Sequence, residues 1–211
     1  VKYDHKVSLP PAFRRHNLAL LPVGRGDFLI GPYKIYAPLP DKDFVPVRTL
    51  EHGDQFESLQ RISSENDALM VAYYGGAVSR TLSEPVQYTG GGKLGGPAFD
   101  MRVGTSQKHR VTQEISVKKG VSIEIDALYE GASLIAAFEA KMKSAVDFNI
   151  RQLYYPFRAL SVNHNKPVRT VFLTYSNEIF DLREFAFAEP ENMSSFRQLS
   201  RFRFTREKTR V

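Results

Sequence analysis

The chain of 211 residues has no cysteine, which excludes a disulfide framework, a thiolate zinc site and a cysteine nucleophile, and fits a cytoplasmic protein. No apolar run approaches the roughly 20 residues that cross a bilayer. The longest candidate, NLALLPVG, is interrupted by Pro22 and Gly24, so no membrane partner is expected. The five histidines, at 5, 16, 52, 109 and 164, show no HxH or HExxH spacing, which argues against a histidine metal site or an HNH-type nuclease. No GxSxG elbow supports a serine hydrolase triad. The glycine-rich stretch YTGGGKLGGPAFD lacks the GxxxxGK[ST] order and a strand-to-helix context, so it is not a nucleotide P-loop. It reads as a flexible loop whose Lys93 is a candidate for contact with a phosphate backbone. No signal-peptide pattern opens the sequence, and a start at Val1 leaves room for residues ahead of it.

What is present suffices for a core: 42% of residues are hydrophobic and 12% aromatic. The length suits one generous domain or one with a small appendage. The net charge of +6 is unevenly spread. The last fifteen residues, RQLSRFRFTREKTRV, hold six Arg or Lys against one Glu, so the preceding chain is nearly neutral. With Phe202 and Phe204 interleaved, this basic tail suits a polyanion such as nucleic acid. A solvated, partly frayed C-terminus is the alternative.

The first forty residues read as β-rich, with NLALLPVG and DFLIGPYKIYAPL joined by a GRGD hairpin connection. From about Asp54 to Leu82 the spacing predicts helix, first over Phe56, Leu59 and Ile62, then over Leu69, Met70, Ala72 and Tyr73. SSEND offers the N-cap of the second helix, and Gly75–Gly76 its end. HRVTQEISV, VSIEIDALYE and SLIAAFEAKMK then read as strands. SAVDFNIRQLYYPFRALSV reads as a helix that Pro156 should kink or shorten. PVRTVFLTYS and IFDLREFAFA are two further strands. The expected fold is α/β, a central mixed sheet flanked by helices. Residues 1–100 form a β-hairpin and helical N-terminal part, within the same globule or as a small DNA-contacting subdomain. Residues 101–211 form the core, with its basic tail.

In VSIEIDALYE, period two puts Ser122, Glu124 and Asp126 on one face; in LIAAFEAKMK it puts Ala137, Glu139 and Lys141 on one face. Charged groups inside apolar strands are costly unless paired or metal-bound. The tight EGAS connection predicts an antiparallel hairpin, with Asp126 and Glu139 somewhat offset, so that a bend or bulge is needed to bring them together. Two converging carboxylates and a lysine are a minimal kit for metal-assisted phosphodiester hydrolysis. Carboxylate oxygens hold Mg²⁺, the ion polarises the phosphate and activates a water, and the lysine orients or deprotonates that water or offsets transition-state charge. As a base, the lysine needs its pKa lowered by burial. The structural alternative is a Glu139–Lys141 ion pair at a half-exposed sheet edge, with Glu124 and Asp126 solvated.

Asp126, followed thirteen residues later by Glu139-Ala140-Lys141, resembles the PD-(D/E)xK nucleases, the restriction-endonuclease-like group, over roughly residues 110–190. The proline that nominally precedes the acid is replaced by Ile125. The resemblance implies a restriction-endonuclease-like core in which Asp126, Glu139 and the Ala140 carbonyl bind Mg²⁺ (Mn²⁺ substituting) and Lys141 assists the water. It also implies that Gln152 and Tyr155 face the site, and that an upstream helix adds an acid, for which Glu65 and Glu57 are candidates; Glu124 is a further auxiliary acid. The implied activity is Mg²⁺-dependent cleavage of double-stranded DNA, most simply as a type II restriction enzyme acting as a homodimer. The rivals are a repair, junction or modification-dependent nuclease, and a catalytically inactive nucleic-acid-binding module on the same fold. Arg14, Arg15, Lys93, Lys108, Arg110, Arg201 and Arg203 are candidate DNA contacts.

Overall fold

The computed structural model describes residues 3–40, 44–52, 56–107 and 110–206. A short helix α1 (Pro11–Arg15) precedes strands β1 (Ala19–Pro22), β2 (Phe28–Gly31), β3 (Tyr36–Pro38) and β4 (Val47–Thr49). Helices α2 (Glu65–Tyr74) and α3 (Ala77–Leu82) follow. Next come β5 (Val86–Gly95), β6 (Phe99–Gln107), β7 (Arg110–Val117), β8 (Ser122–Gly131), β9 (Ile135–Lys141) and β10 (Asp147–Asn149). Helix α4 (Arg151–Asn163) leads to β11 (Val168–Ser176), β12 (Ile179–Phe187) and β13 (Phe196–Thr205).

A seven-stranded mixed sheet, ordered β4-β13-β12-β11-β9-β8-β5, forms the centre, and the fold is α/β. Its strands come from both sides of residue 100. Three two-stranded pairs, β1-β2, β10-β3 and β6-β7, flank it. Helix α4 is a crossover: it lies between β9 and β11, which run side by side in parallel. Both sheet faces are covered. On one, α2 and α3 bury Leu69, Ala72, Val78 and Leu82 against strand residues such as Phe138 and Leu173. On the other, α4 buries Leu153, Tyr154 and Ala159 against Ala137, Phe172 and Phe185. Fully burying an aliphatic or aromatic side chain of this size contributes about 1.5–3 kcal/mol.

Four expectations change. The first predicted helix is only a 3₁₀ turn at Glu57–Leu59, and Asp54 lies outside the described residues. The second starts as read: Ser64 accepts from the Asp67 N–H, and the Asp67 carboxylate accepts from the Ser64 N–H, a reciprocal capping box. The glycine stretch is not a loop. It is edge strand β5, paired to β8 through two register shifts, with Gly90 and Gly92 at φ 149° and 116°. Residues 196–205 of the C-terminal segment are no frayed tail, because β13 sits between β12 and β4 with Phe204 fully buried; residues 207–211 lie outside the described residues. Helix α4 starts later than expected, since residues 147–149 pair with β3. The Asn149 side chain accepts the Arg151 N–H at 3.1 Å and so caps its first turn. Pro156 is accommodated inside this helix without ending it.

Candidate functional site: an acid pair and a lysine at the end of two strands

The β8–β9 hairpin turns at Gly131–Leu134, where the Gly131 N–H donates to the Leu134 carbonyl at 3.0 Å. That turn sets Ala127 opposite Phe138, and the same register carries Asp126 to the position facing Glu139. The expected offset is therefore absent, and no bulge is needed between these two strands. The regular pairs end at Ala127–Phe138. One step further, an Asp126 carboxylate oxygen takes the Ala140 N–H at 2.8 Å in place of a backbone acceptor. This bond pins the Asp126 side chain beside the Ala140 peptide. Beyond it β8 continues with β5 as its partner. Gly91 of β5 backs that point, because a Cβ there would stand 2.8 Å from the Asp126 carbonyl oxygen. Only glycine lets β5 approach this closely.

Glu139 is 5% exposed. Its Oε1 accepts from Lys141 Nζ at 2.6 Å and from Gln152 Nε2 on the first turn of α4. The Lys141 ammonium also reaches the Ala140 carbonyl at 2.9 Å and Glu65, the first residue of α2, at 3.5 Å. Burial pushes the Glu139 carboxyl up to about 8, with Lys141 pulling against it and Asp126 adding to it. For Lys141, burial acts downward, but Glu139, then Glu65 and Asp126, outweigh it and hold the ammonium above the usual lysine range. The lowering that a basic lysine would need is thus absent, and of the roles expected for Lys141 the arrangement favours the charge-offsetting one.

The ammonium occupies a telling position. It lies among two carboxylates and a peptide carbonyl, hard oxygen donors of the kind that Mg²⁺ takes. Glu139, Glu65 and the Ala140 carbonyl are the oxygens gathered there, and Asp126, fixed alongside by the Ala140 N–H, is the further acid that could join them around a hard divalent ion. Among the described residues no group of three or more His, Cys, Asp or Glu is arranged to hold a metal, and the donor set here counts a backbone oxygen in place of a third close acid. The Gln152 Oε1 is buried with no hydrogen-bond partner, an orphaned acceptor beside the acids.

A cleft of about 20 Å³, space for about one water or ion, opens next to Glu139 and Gln152. Glu124, Tyr155, Asp4 and Arg151 also line it. Glu124 thus stands at the site, whereas Glu57 lies exposed in its 3₁₀ turn and Glu65 is the acid that meets Lys141. Tyr155 contributes its ring, over which Arg151 sits at 5.5 Å, while its hydroxyl donates to the Pro22 carbonyl at 2.6 Å. Sequence reasoning missed Asp4, Arg151 and Gly91. The first comes from the far end of the chain and carries no local signal. Arg151 adjoins Gln152 on a helix already singled out and was within reach.

The candidate DNA contacts divide. Arg14 and Arg15 are exposed on α1, and Lys93 is exposed on β5 opposite Glu124. Lys108 lies outside the described residues, and Arg110 opens β7. Arg201 must be corrected: its side chain is 5% exposed and clamps Asp181, with Nη2 at 2.6 Å and Nε at 3.0 Å. Arg203, across from Asp181 in the register, is half-buried, and its Nε has no partner.

Fold and site together define an α/β protein with a seven-stranded mixed sheet and an acid–acid–lysine cluster where two of its strands part. The profile of a family described as Domain of unknown function (DUF6997) matches residues 31–205, and the chain belongs to that family. No curated protein and no solved structure matches it significantly. Among the described residues no helix is long and apolar enough to cross a membrane.

Proposed function

We propose that this chain is a Mg²⁺-dependent endonuclease that hydrolyses phosphodiester bonds of double-stranded DNA, on the plan of the PD-(D/E)xK nucleases and acting as a type II restriction enzyme. The observation that carries this reading is the gathering of one ammonium by Glu139, the Ala140 carbonyl and Glu65 beside Asp126. A site that draws a cation from its own chain has the donors to draw a divalent one. When bound, such an ion supplies a Lewis acid for the phosphate and lowers the pKa of a water.

The chain's own residues do the rest. The Ala140 N–H holds Asp126 in place, and the Gln152 amide holds Glu139. Lys141, kept charged, offsets negative charge at the reacting phosphate. Arg151 brings a second cation to the cleft. Two copies related by a two-fold axis would read a palindrome and cut both strands, so a homodimer in the cytoplasm is the corresponding assembly.

The test is incubation of the protein with phage DNA and Mg²⁺. Discrete fragments that vanish with EDTA, and with Glu139→Gln or Lys141→Ala, are expected. Plain, modified and branched duplexes run side by side separate restriction from modification-dependent, repair or junction cleavage. One observation favours a second reading, a non-catalytic nucleic-acid-binding module: the 2.6 Å Lys141–Glu139 pair closes the acid on itself. A gel shift of DNA without any Mg²⁺-dependent nicking would establish that reading and overturn the first.

A further inference from the structure

Two larger cavities and the small acid cleft carry carboxylates in their walls: Asp100 and Glu191 in one, Asp27 and Glu114 in another, Glu124 and Glu139 in the cleft. A fourth, of about 280 Å³, has none. It lies between α1, residues 33–36 and Ser106, and its walls combine three exposed cations, Lys6, Arg14 and Lys34, with three aromatic rings, Phe13, Tyr33 and Tyr36. Rings beside cations, in walls with Asp147 behind them and its carboxylate taking the Lys6 N–H at 3.2 Å, select a ligand with a flat apolar part and a negative charge. The walls are held in place, since the Tyr36 hydroxyl donates to the Tyr3 carbonyl at 3.0 Å and the Lys34 N–H to the Gly104 carbonyl at 2.8 Å.

This cavity is the neighbour of the acid cleft. Asp4 lines the cleft and Lys6 the cavity, and two residues of chain span at most about 7 Å. On the other side, the Ile35 carbonyl in the cavity wall accepts the Ile150 N–H at 2.8 Å, two residues before Gln152.

We infer that this cavity binds one nucleoside monophosphate unit, its base against Phe13, Tyr33 and Tyr36 and its phosphate toward Lys6, Arg14 and Lys34. Given the nuclease reading, on which this part rests, the unit is a nucleotide turned out of the DNA strand close to the phosphate that is cut. A volume of about 280 Å³, at the small end of ligand sites, takes a single nucleotide and not a base pair.

Calorimetric titration of the Glu139→Gln protein, whose change lies outside the cavity, separates this inference from the nuclease reading. Deoxynucleoside monophosphates should bind. Phe13→Ala should weaken them about tenfold, and Lys34→Ala should weaken the monophosphate while leaving the deoxynucleoside unaffected. In a second arm, 2-aminopurine scanned along a duplex oligonucleotide should brighten at one position on binding, and Phe13→Ala should abolish that signal. Monophosphate binding with no brightening anywhere would make the ligand a free nucleotide and overturn the strand assignment. A flat monophosphate titration, with Mg²⁺-dependent cleavage intact in the unmodified protein, would overturn the cavity assignment alone. Monophosphate binding without cleavage would leave the cavity standing and remove the nuclease.

Discussion

Two clusters of buried charge lie on the same face of the central sheet, and they are balanced in opposite ways. Glu139, Phe172, Arg183 and Arg201 stand in one row across β9, β11, β12 and β13. At the β12–β13 end a single carboxylate, Asp181, accepts from Arg183 at 3.1 Å and Arg201 at 2.6 Å, and Arg183 also donates to the Pro40 carbonyl at 2.7 Å. Two permanently charged forks close on one acid, and no further cation can enter. At the β8–β9 end the ratio is inverted. Glu139 and Glu65 share one lysine beside Asp126, with Asp4 and Arg151 in the adjoining cleft. The first cluster is a lock between strands. The second has more acid than its own cation neutralises, and a compact, mobile ammonium is the residue type that can make way.

The largest expected effect falls on the second cluster. Glu139→Gln or Lys141→Ala should lower DNA cleavage by about 10³-fold, measured on a linear duplex, while the melting temperature hardly moves. If Lys141→Ala instead melts the protein, the two clusters are alike and both are locks. Next in size is the first cluster. Asp181→Ala leaves two guanidiniums buried without their acid and should cost about 3 kcal/mol, or roughly 10 °C in a thermal melt. A melt unchanged by that substitution would remove the contrast from the other side. Gly91→Ala comes third: the new Cβ pushes on the Asp126 carbonyl, and cleavage should drop by about 10- to 100-fold with little loss of stability. A fully active Gly91→Ala protein would mean that the exact placing of Asp126 does not matter.

The same contrast explains what could be read in the sequence. Period two in VSIEIDALYE and LIAAFEAKMK put the acids and the lysine on one face, and the crossover helix with Gln152 followed from its apolar stripe. The register did not follow, because it depends on which residues of the connection form the turn: a start at Gly131 in place of Glu130 brings Asp126 opposite Glu139. The β5 edge strand was illegible since glycine has no side chain to alternate. The strand β13 passed for a solvated tail because buried Arg201 looks, in sequence, like any basic residue; its acid lies twenty positions away on Asp181. Glu65 and Glu57 were equivalent until α2 brought the first to Lys141. Its capping box, Ser64 with Asp67, was legible and sets where that helix begins.

The smallest effect is a dependence on pH, and it probes the surplus of acid directly. Burial, with Asp126 adding to it and Lys141 opposing it, raises the Glu139 carboxyl from 4.5 to about 8. Between those values the folded protein holds a proton that the unfolded chain has released, so stability falls as pH rises across this window. Lys141 is shifted upward too, but its stabilising contribution is complete throughout this range and is lost only above the usual lysine values. A whole proton gives a slope of at most about 1.4 kcal/mol per pH unit. Thermal melts in EDTA from pH 5.5 to 8.5 should show this decline, and Glu139→Gln should flatten it. Added Mg²⁺ displaces the proton, so its stabilising effect should grow with pH over the same range. A flat profile without divalent ions would mean that Lys141 alone already neutralises Glu139. The cluster would then be as closed as the one at Asp181, with no charge left over to recruit a metal.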